Sequence, residues 1–210
     1  MNLAIECQCG KVKGIVKDTD SSTGPRIICL CDDCQAAAHW LGNAQRELDA
    51  NGGTDITPIL PSQVMITTGL SHLKSFLLTE KGSLRWYTEC CRSALGNTDR
   101  QGKVPYVGFK SNRLRNPEGR LEDALGPIIG YIQGKYGIPP LPPGTPKSFS
   151  LATMFPYIGF MVKGYFKSAG RPHPLFTTDH KPISEPYILT PVERENLRKY
   201  CGPRPKALHS

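Results

Sequence analysis

Cys29-Leu30-Cys31-Asp32-Asp33-Cys34 places three thiols within six residues, and Cys-x-Cys-x-x-Cys is a chelating spacing. A turn of this length can aim three sulfurs at one point about 2.3 Å away, the Zn–S distance. The residues before it, Arg26-Ile27-Ile28, are β-branched and predict a strand that delivers the turn from its end. Those after it, Gln35 to Leu41, have high helix propensity and predict a short helix. Further out, Cys7-Gln8-Cys9 lies upstream and Cys90-Cys91 downstream, so seven of the eight cysteines form three tight clusters within the first 91 residues. Cysteines that merely fill a core are scattered. These are not.

At 210 residues the chain can bury a sizeable core. Hydrophobic content of 39% and charged content of 21% suit a soluble globular protein, and 19 prolines with 21 glycines imply many turns. The first six residues do not resemble a signal peptide. The longest uncharged run, Ser148 to Val162, is shorter than the ~20 residues a membrane-spanning helix needs. A cytoplasmic protein without a membrane span is therefore expected. In a reducing cytosol, close-spaced cysteines serve as metal ligands more often than as disulfides. The net charge is +8, with nine Lys or Arg against four acidic residues after Val162. These charges are dispersed rather than clustered, so nucleic acid is not the expected partner.

Short apolar or β-branched runs predict strands at residues 2–6, 11–17, 26–30, 56–60, 63–67, 73–79, 84–88 and 104–110. Gly96-Asn97-Thr98-Asp99 reads as a separating turn. So many short strands argue for a mainly β fold, a small sandwich or tent of antiparallel strands. Each cysteine cluster falls beside a predicted strand end, where sites are commonly built. After residue 110 the texture changes. Residues 118–136 show helical spacing interrupted by Pro127 and Gly130, residues 138–146 form a proline-rich connector, and residues 149–166 predict a helix around Pro156. Thr190-Pro191-Val192-Glu193 is a capping box with proline at the first helical position, so a helix is expected over 191–200. The division expected is a metal-binding β domain at 1–110 and a helical, Pro-rich, basic extension at 111–210.

Thiolates are soft ligands that suit Zn²⁺, and three or four of them fill its tetrahedral shell. Two sites can be built. One takes Cys29, Cys31 and Cys34 and leaves a fourth position without a protein donor nearby. The other takes Cys7 and Cys9 with Cys91, with Cys90 left open between the two. A three-thiolate zinc can accept an exogenous thiol, hydroxide or carbonyl oxygen, and a thiol held there is deprotonated. That is the chemistry needed to add a thiol to an aldehyde or to split such an adduct.

The pattern Cys7-x-Cys9-Gly10-x-Val12, Cys29-x-Cys31-x-x-Cys34, then Arg85-Trp86-Tyr87 leading to Cys91 and Leu95 resembles the glutathione-dependent formaldehyde-activating enzyme family, whose domain the centromere protein V relatives share. The resemblance covers roughly residues 3–110. It implies a zinc-bound β-tent, a structural and a catalytic zinc, and carbon–sulfur lyase chemistry on glutathione adducts. Cys29, Cys31 and Cys34 match the catalytic thiolates, and Cys7 and Cys9 match half of the structural site. The family's late pair is Cys-x-x-Cys followed by glycine. Here Thr88 stands at the first cysteine, Cys91 at the second and Arg92 at the glycine. Cys90 either replaces the missing ligand, leaves three ligands or an empty site behind, or faces the first metal and closes it.

Asp32 and Asp33 lie between ligands and read as turn carboxylates or proton-transfer groups. His39 reads as an ordinary helix-face histidine. Arg46, Lys74, Arg85 and Arg92 are candidate partners for substrate carboxylates. Trp86 and Tyr87 read as core aromatics and Cys201 as a bystander thiol. The expectation is a zinc-dependent carbon–sulfur lyase or thiol–carbonyl adduct enzyme acting on a small-molecule thiol adduct such as a glutathione conjugate. The alternative is a non-catalytic, zinc-stapled module that binds nucleic acid or protein. A Cys31–Cys34 redox switch is the weaker third reading, because the third thiol favours a metal.

Overall fold

The computed structural model describes residues 1–167 and 169–203. Alternating burial along β1 (Leu3–Glu6) and β2 (Lys13–Val16) makes them a half-exposed antiparallel hairpin around the Cys7-Gln8-Cys9-Gly10 corner. The fully buried β3 (Ile27–Cys29) runs straight into α1 (Asp32–Trp40), and the short helix α2 (Ala44–Glu47) follows. Then come β4 (Thr54–Ile59), β5 (Val64–Thr68), β6 (Leu73–Leu77), β7 (Leu84–Thr88), β8 (Ala94–Thr98) and β9 (Val107–Lys110). The remainder supplies β10 (Leu114–Arg115), α3 (Leu121–Leu125), β11 (Tyr131–Ile132), α4 (Leu151–Phe166), β12 (Tyr187–Ile188) and α5 (Pro191–Asn196).

The molecule is mainly β, with two sheets and a few helices. One sheet has the order β10-β1-β2-β5 and the other β11-β3-β4-β9-β8-β7-β6-β12. Pairing is antiparallel except at the two ends of the larger sheet, where β11 on β3 and β12 on β6 run parallel. Each of β10, β11 and β12, from the chain after Lys110, therefore forms a sheet edge. The main core lies between the sheets and includes Leu3, Ile5, Val16, Leu84, Trp86, Val107 and Phe109, each at most 1% exposed. Truncating Phe109 to Ala would cost about 3–5 kcal/mol. Trp86 satisfies its indole by donating to Thr98 Oγ1 at 3.1 Å.

The expected helix over 118–136 is not formed beyond α3. Gly126 adopts a φ of 74°, Pro127 cannot continue the hydrogen-bond ladder, and the chain extends into β11. The expected turn at 96–99 is instead most of β8. Gly96 is there for close approach, since a Cβ on it would lie 2.6 Å from the Gly108 carbonyl oxygen. The C-terminal helix is shorter than expected, ending at Asn196 and followed by one 3₁₀ turn at Arg198–Tyr200. Helix α4 forms as the sequence predicts, capped by Ser150, with Pro156 inside it. No helix among the described residues is long and apolar enough to cross a membrane.

Candidate metal centres

The β1–β2 corner and the β7–β8 turn bring four sulfurs together. Cys7 Sγ lies 3.6 Å from Cys9 and 3.9 Å from Cys90, Cys9 lies 3.3 Å from Cys90, and Cys90 lies 3.9 Å from Cys91. Four sulfurs at the corners of a tetrahedron about 2.3 Å from a zinc ion are about 3.8 Å apart, so the cage has the dimensions of a closed tetrathiolate site. Arg92, directly after the two adjacent cysteines, takes a left-handed φ of 54° in this turn. The amides of Val12 and Gln8 donate to Cys7 Sγ at 3.3 Å and Ser93 Oγ at 3.2 Å, which fixes the two turns against each other.

Cys90 joins the first pair rather than the other cluster, and Thr88 contributes a hydroxyl, 3.3 Å from Cys91 Sγ, with Ser93 Oγ at 3.1 Å. Burial pushes the Cys91 thiol up, but hydrogen bonds from Ser93 and Thr88 outweigh it and bring it down to about 5. Cys90 is pushed up to about 12 by burial and by sharing hydrogen bonds with Cys9, Cys7 and Cys91.

The second cluster uses three different pieces of backbone. Cys29 ends β3, Cys31 is the N-cap of α1 and accepts the Cys34 amide at 3.3 Å, and Cys34 sits in the helix's first turn. All three sulfurs lie within 4.8 Å of one another, and among the described residues no fourth His, Cys, Asp or Glu joins them. Hydrogen bonds from Cys29 and Cys31 hold Cys34 well below the usual thiol range against its burial, helped by the charges of Lys110 and Arg85. The first turn of α1 adds the positive end of a helix dipole. Three sulfurs this close together, two of them buried, suit a divalent ion.

Unlike the four-sulfur cage, the triad opens into a cavity of about 200 Å³. Arg85 and Asn97 from the large sheet, Tyr106 before β9, Phe149 just before α4 and Tyr157 within that helix form the other walls. The buried Arg85 guanidinium reaches Cys34 Sγ at 4.0 Å and Asp33 at 3.8 Å, both too long to commit its donors fully. Asn97 Nδ2 donates to Tyr106 Oη at 3.4 Å.

Of the four basic candidates, only Arg85 lines this cavity. Arg92 lies over the Trp40 ring at 5.0 Å and Lys74 pairs with Glu89 at 3.9 Å, while Arg46 sits on α2. Asp32 and Asp33 are not free turn carboxylates: Arg194 binds them at 3.0 and 2.8 Å, and Arg198 also binds Asp32. His39 stacks on Tyr200 at 4.6 Å, away from the cavity. Trp86 is a core residue and Tyr87 packs on Trp40 and Phe76. Cys201 donates to the Leu197 and Asp32 carbonyls and joins neither cluster. Asn97, Tyr106 and Tyr157 carried no local signal in the sequence, because only the strand order of the large sheet, for the first two, and the placement of α4, for the third, bring them to the sulfurs.

Fold and site thus define a mainly β protein with two cysteine clusters able to hold metal ions, one closed and one open to a cavity. The chain belongs to DUF6151, a family of unknown function, which it matches over residues 2–186. No curated protein matches it. A crystal structure of a Rhodobacter sphaeroides protein is similar at 14% identity and a TM-score of 0.41, covering 62% of this chain and 99% of that one.

Proposed function

We propose that this protein is a zinc enzyme of the cytosol that makes or splits thiol–carbonyl adducts, a carbon–sulfur lyase with its site at Cys29, Cys31 and Cys34. The observation that carries the reading is the contrast between the two clusters. The four sulfurs at Cys7, Cys9, Cys90 and Cys91 are closed on themselves, whereas the triad forms one wall of a cavity with a cation and hydroxyl groups facing it. The resemblance to the glutathione-dependent formaldehyde-activating enzymes supports the same assignment.

A zinc ion held by three thiolates keeps a coordination position for an outside ligand and strongly lowers the pKa of a thiol bound there. The residues of the chain divide the remaining work. Arg85 donates to the carbonyl oxygen and stabilises the charge that grows on it. Tyr106 or Tyr157 supplies the proton that the oxygen takes as the sulfur–carbon bond forms, and in the lyase direction removes it as that bond breaks. Burial pushes both phenols up, so they enter the reaction protonated. At about 200 Å³ the cavity is smaller than the roughly 300–1,000 Å³ of ordinary ligand pockets, so it takes the reacting end of an adduct while a body the size of glutathione lies across the rim.

The test is turnover of zinc-loaded protein with formaldehyde and a panel of thiols including glutathione. Thiol-dependent turnover lost in Cys31→Ser and kept in Cys201→Ser is expected. No turnover with any pair, together with nucleic-acid binding that weakens steeply with salt, would favour the non-catalytic module instead.

A further inference from the structure

We propose that α4 is a self-association face, on which two copies pair through antiparallel α4 helices with Phe155 of one seated on Gly159 of the partner subunit. One side of α4 is accounted for within the chain: Thr153, Phe160 and Gly164 are buried, and Phe160 packs with Leu60 and Ala169. The other side is uncovered and apolar. Leu151, Phe155, Tyr165 and Phe166 are 65%, 64%, 58% and 87% exposed, and Ile158 and Val162 are about half exposed. Together they present on the order of 700 Å², close to the ~800 Å² that each partner contributes to a standard protein–protein interface. A patch of this size on a folded surface marks an interaction site.

The pattern on that face points to another helix as the occupant. Ala152, Phe155, Gly159, Val162 and Phe166 follow one another at alternating steps of three and four residues, the a/d spacing of a helix–helix seam. The two helical glycines then differ in a telling way. A Cβ on Gly164 would meet Pro105 at 2.9 Å and Leu60 at 3.0 Å, so the chain itself requires that glycine. A Cβ on Gly159 would meet nothing within 4 Å, yet a mid-helix glycine costs about 1 kcal/mol relative to alanine. A backbone approached closely from outside explains its presence.

Self-pairing fits because the seam complements itself when antiparallel. Phe155 then falls on Gly159 and Val162 on Ala152, large on small in both directions. The only charges on the helix and its C-cap, Lys163 and Lys167, lie at its C-terminal end and are kept apart, and the helix dipoles oppose. A lipid surface would use the apolar area but has no need for a glycine or a seam. Because Tyr157 and Phe149 line the three-sulfur cavity, pairing also clamps one wall of that cavity from outside.

Sedimentation velocity of the full chain across low to high micromolar concentration tests this, with far-UV circular dichroism as the check on folding. The wild type is expected as a dimer, and Phe155→Asp as a monomer. Gly159→Leu is also expected as a monomer, although it makes the face more apolar and raises helix propensity. A monomeric wild type at the highest concentration, or a dimer that survives both substitutions, overturns the proposal. So does a monomer that cosediments through this face with vesicles of phosphatidylglycerol and phosphatidylcholine.

Discussion

Asp32 and Arg198 stand 166 residues apart in the chain and form an ion pair beside the turn that carries Cys31 and Cys34. Arg194 joins them at 3.0 Å and also binds Asp33 at 2.8 Å, while the Gly202 amide donates to Gln35 Oε1 at 2.8 Å. The C-terminal segment thus latches onto α1 and fixes the N-cap from which two of the three sulfurs project. Both arginines lie beyond the segment matched by the family.

Removing both latch cations should loosen that turn. Arg194→Ala with Arg198→Ala is expected to cost about 2–3 kcal/mol, less than a fully buried pair would because the Asp32 side chain is 21% exposed. A urea midpoint measures the loss. The same variant should bind metal more weakly at Cys29, Cys31 and Cys34 while the four-sulfur cage keeps its ion, which separate cobalt(II) titrations would resolve.

The two clusters should respond differently to losing a ligand. The cage ties the β1–β2 corner to a turn 83 residues away, so Cys90→Ser should lose one equivalent of metal and destabilise the fold by on the order of 3–5 kcal/mol, by analogy with a cross-link closing a loop of that length. Cys31→Ser should also lose one equivalent, yet shift the thermal midpoint far less, because β3 and α1 are held by other contacts. Metal analysis alongside calorimetry reads both quantities. Equal destabilisation by the two variants would contradict this division.

Arg85 offers a finer test of the proposed chemistry. Arg85→Gln at unchanged metal content should lower turnover by about 10²-fold through kcat, the usual effect of removing one donor to a developing oxyanion. Arg85→Lys should fall in between, since it keeps the charge but loses the fork of donors. An effect confined to KM would assign Arg85 to holding the substrate's distal part.

His173 predicts a pH dependence separate from the sulfurs. Its ring is buried, Nδ1 accepts the Leu175 amide at 3.1 Å, and Phe176 packs edge-on at 4.7 Å. Burial, with Arg171 nearby, pushes its pKa down to about 4. Between about 6.5 and 4 the unfolded chain takes up a proton that the folded chain refuses, so stability is full above about 6.5 and falls as the pH drops through this window. The loss amounts to roughly 3 kcal/mol by pH 4. Urea midpoints from pH 7 to pH 4 should show that slope, and His173→Gln should remove most of it.

Much of the framework could be read locally. Strands β1, β2, β3, β6 and β7 lie where the apolar alternation and β-branched runs put them, because period-two patterning and turn residues act over a few positions. The readings that failed involve residues whose role is set by a distant neighbour. Gly96 looks like a turn until the Gly108 carbonyl is beside it, and Tyr131-Ile132 looks like the end of a helix until β3 is available to pair with it.

The spacing of Cys29, Cys31 and Cys34 by itself determined that three sulfurs would converge, since six residues of backbone can hardly keep them apart at a strand-to-helix junction. It could not assign Cys90, because the partners that two adjacent cysteines reach depend on where the β7–β8 turn lies, and here that turn is set against the β1–β2 corner. Nor could it decide which cluster would stay open. That depends on α4 standing off from the sheet far enough to leave space above Cys34, and on residues 194–202 closing over Asp32 and Gln35 rather than over the sulfurs. Chelation is a short-range property of the chain, whereas the room left around a chelate comes from the packing of segments more than a hundred residues apart.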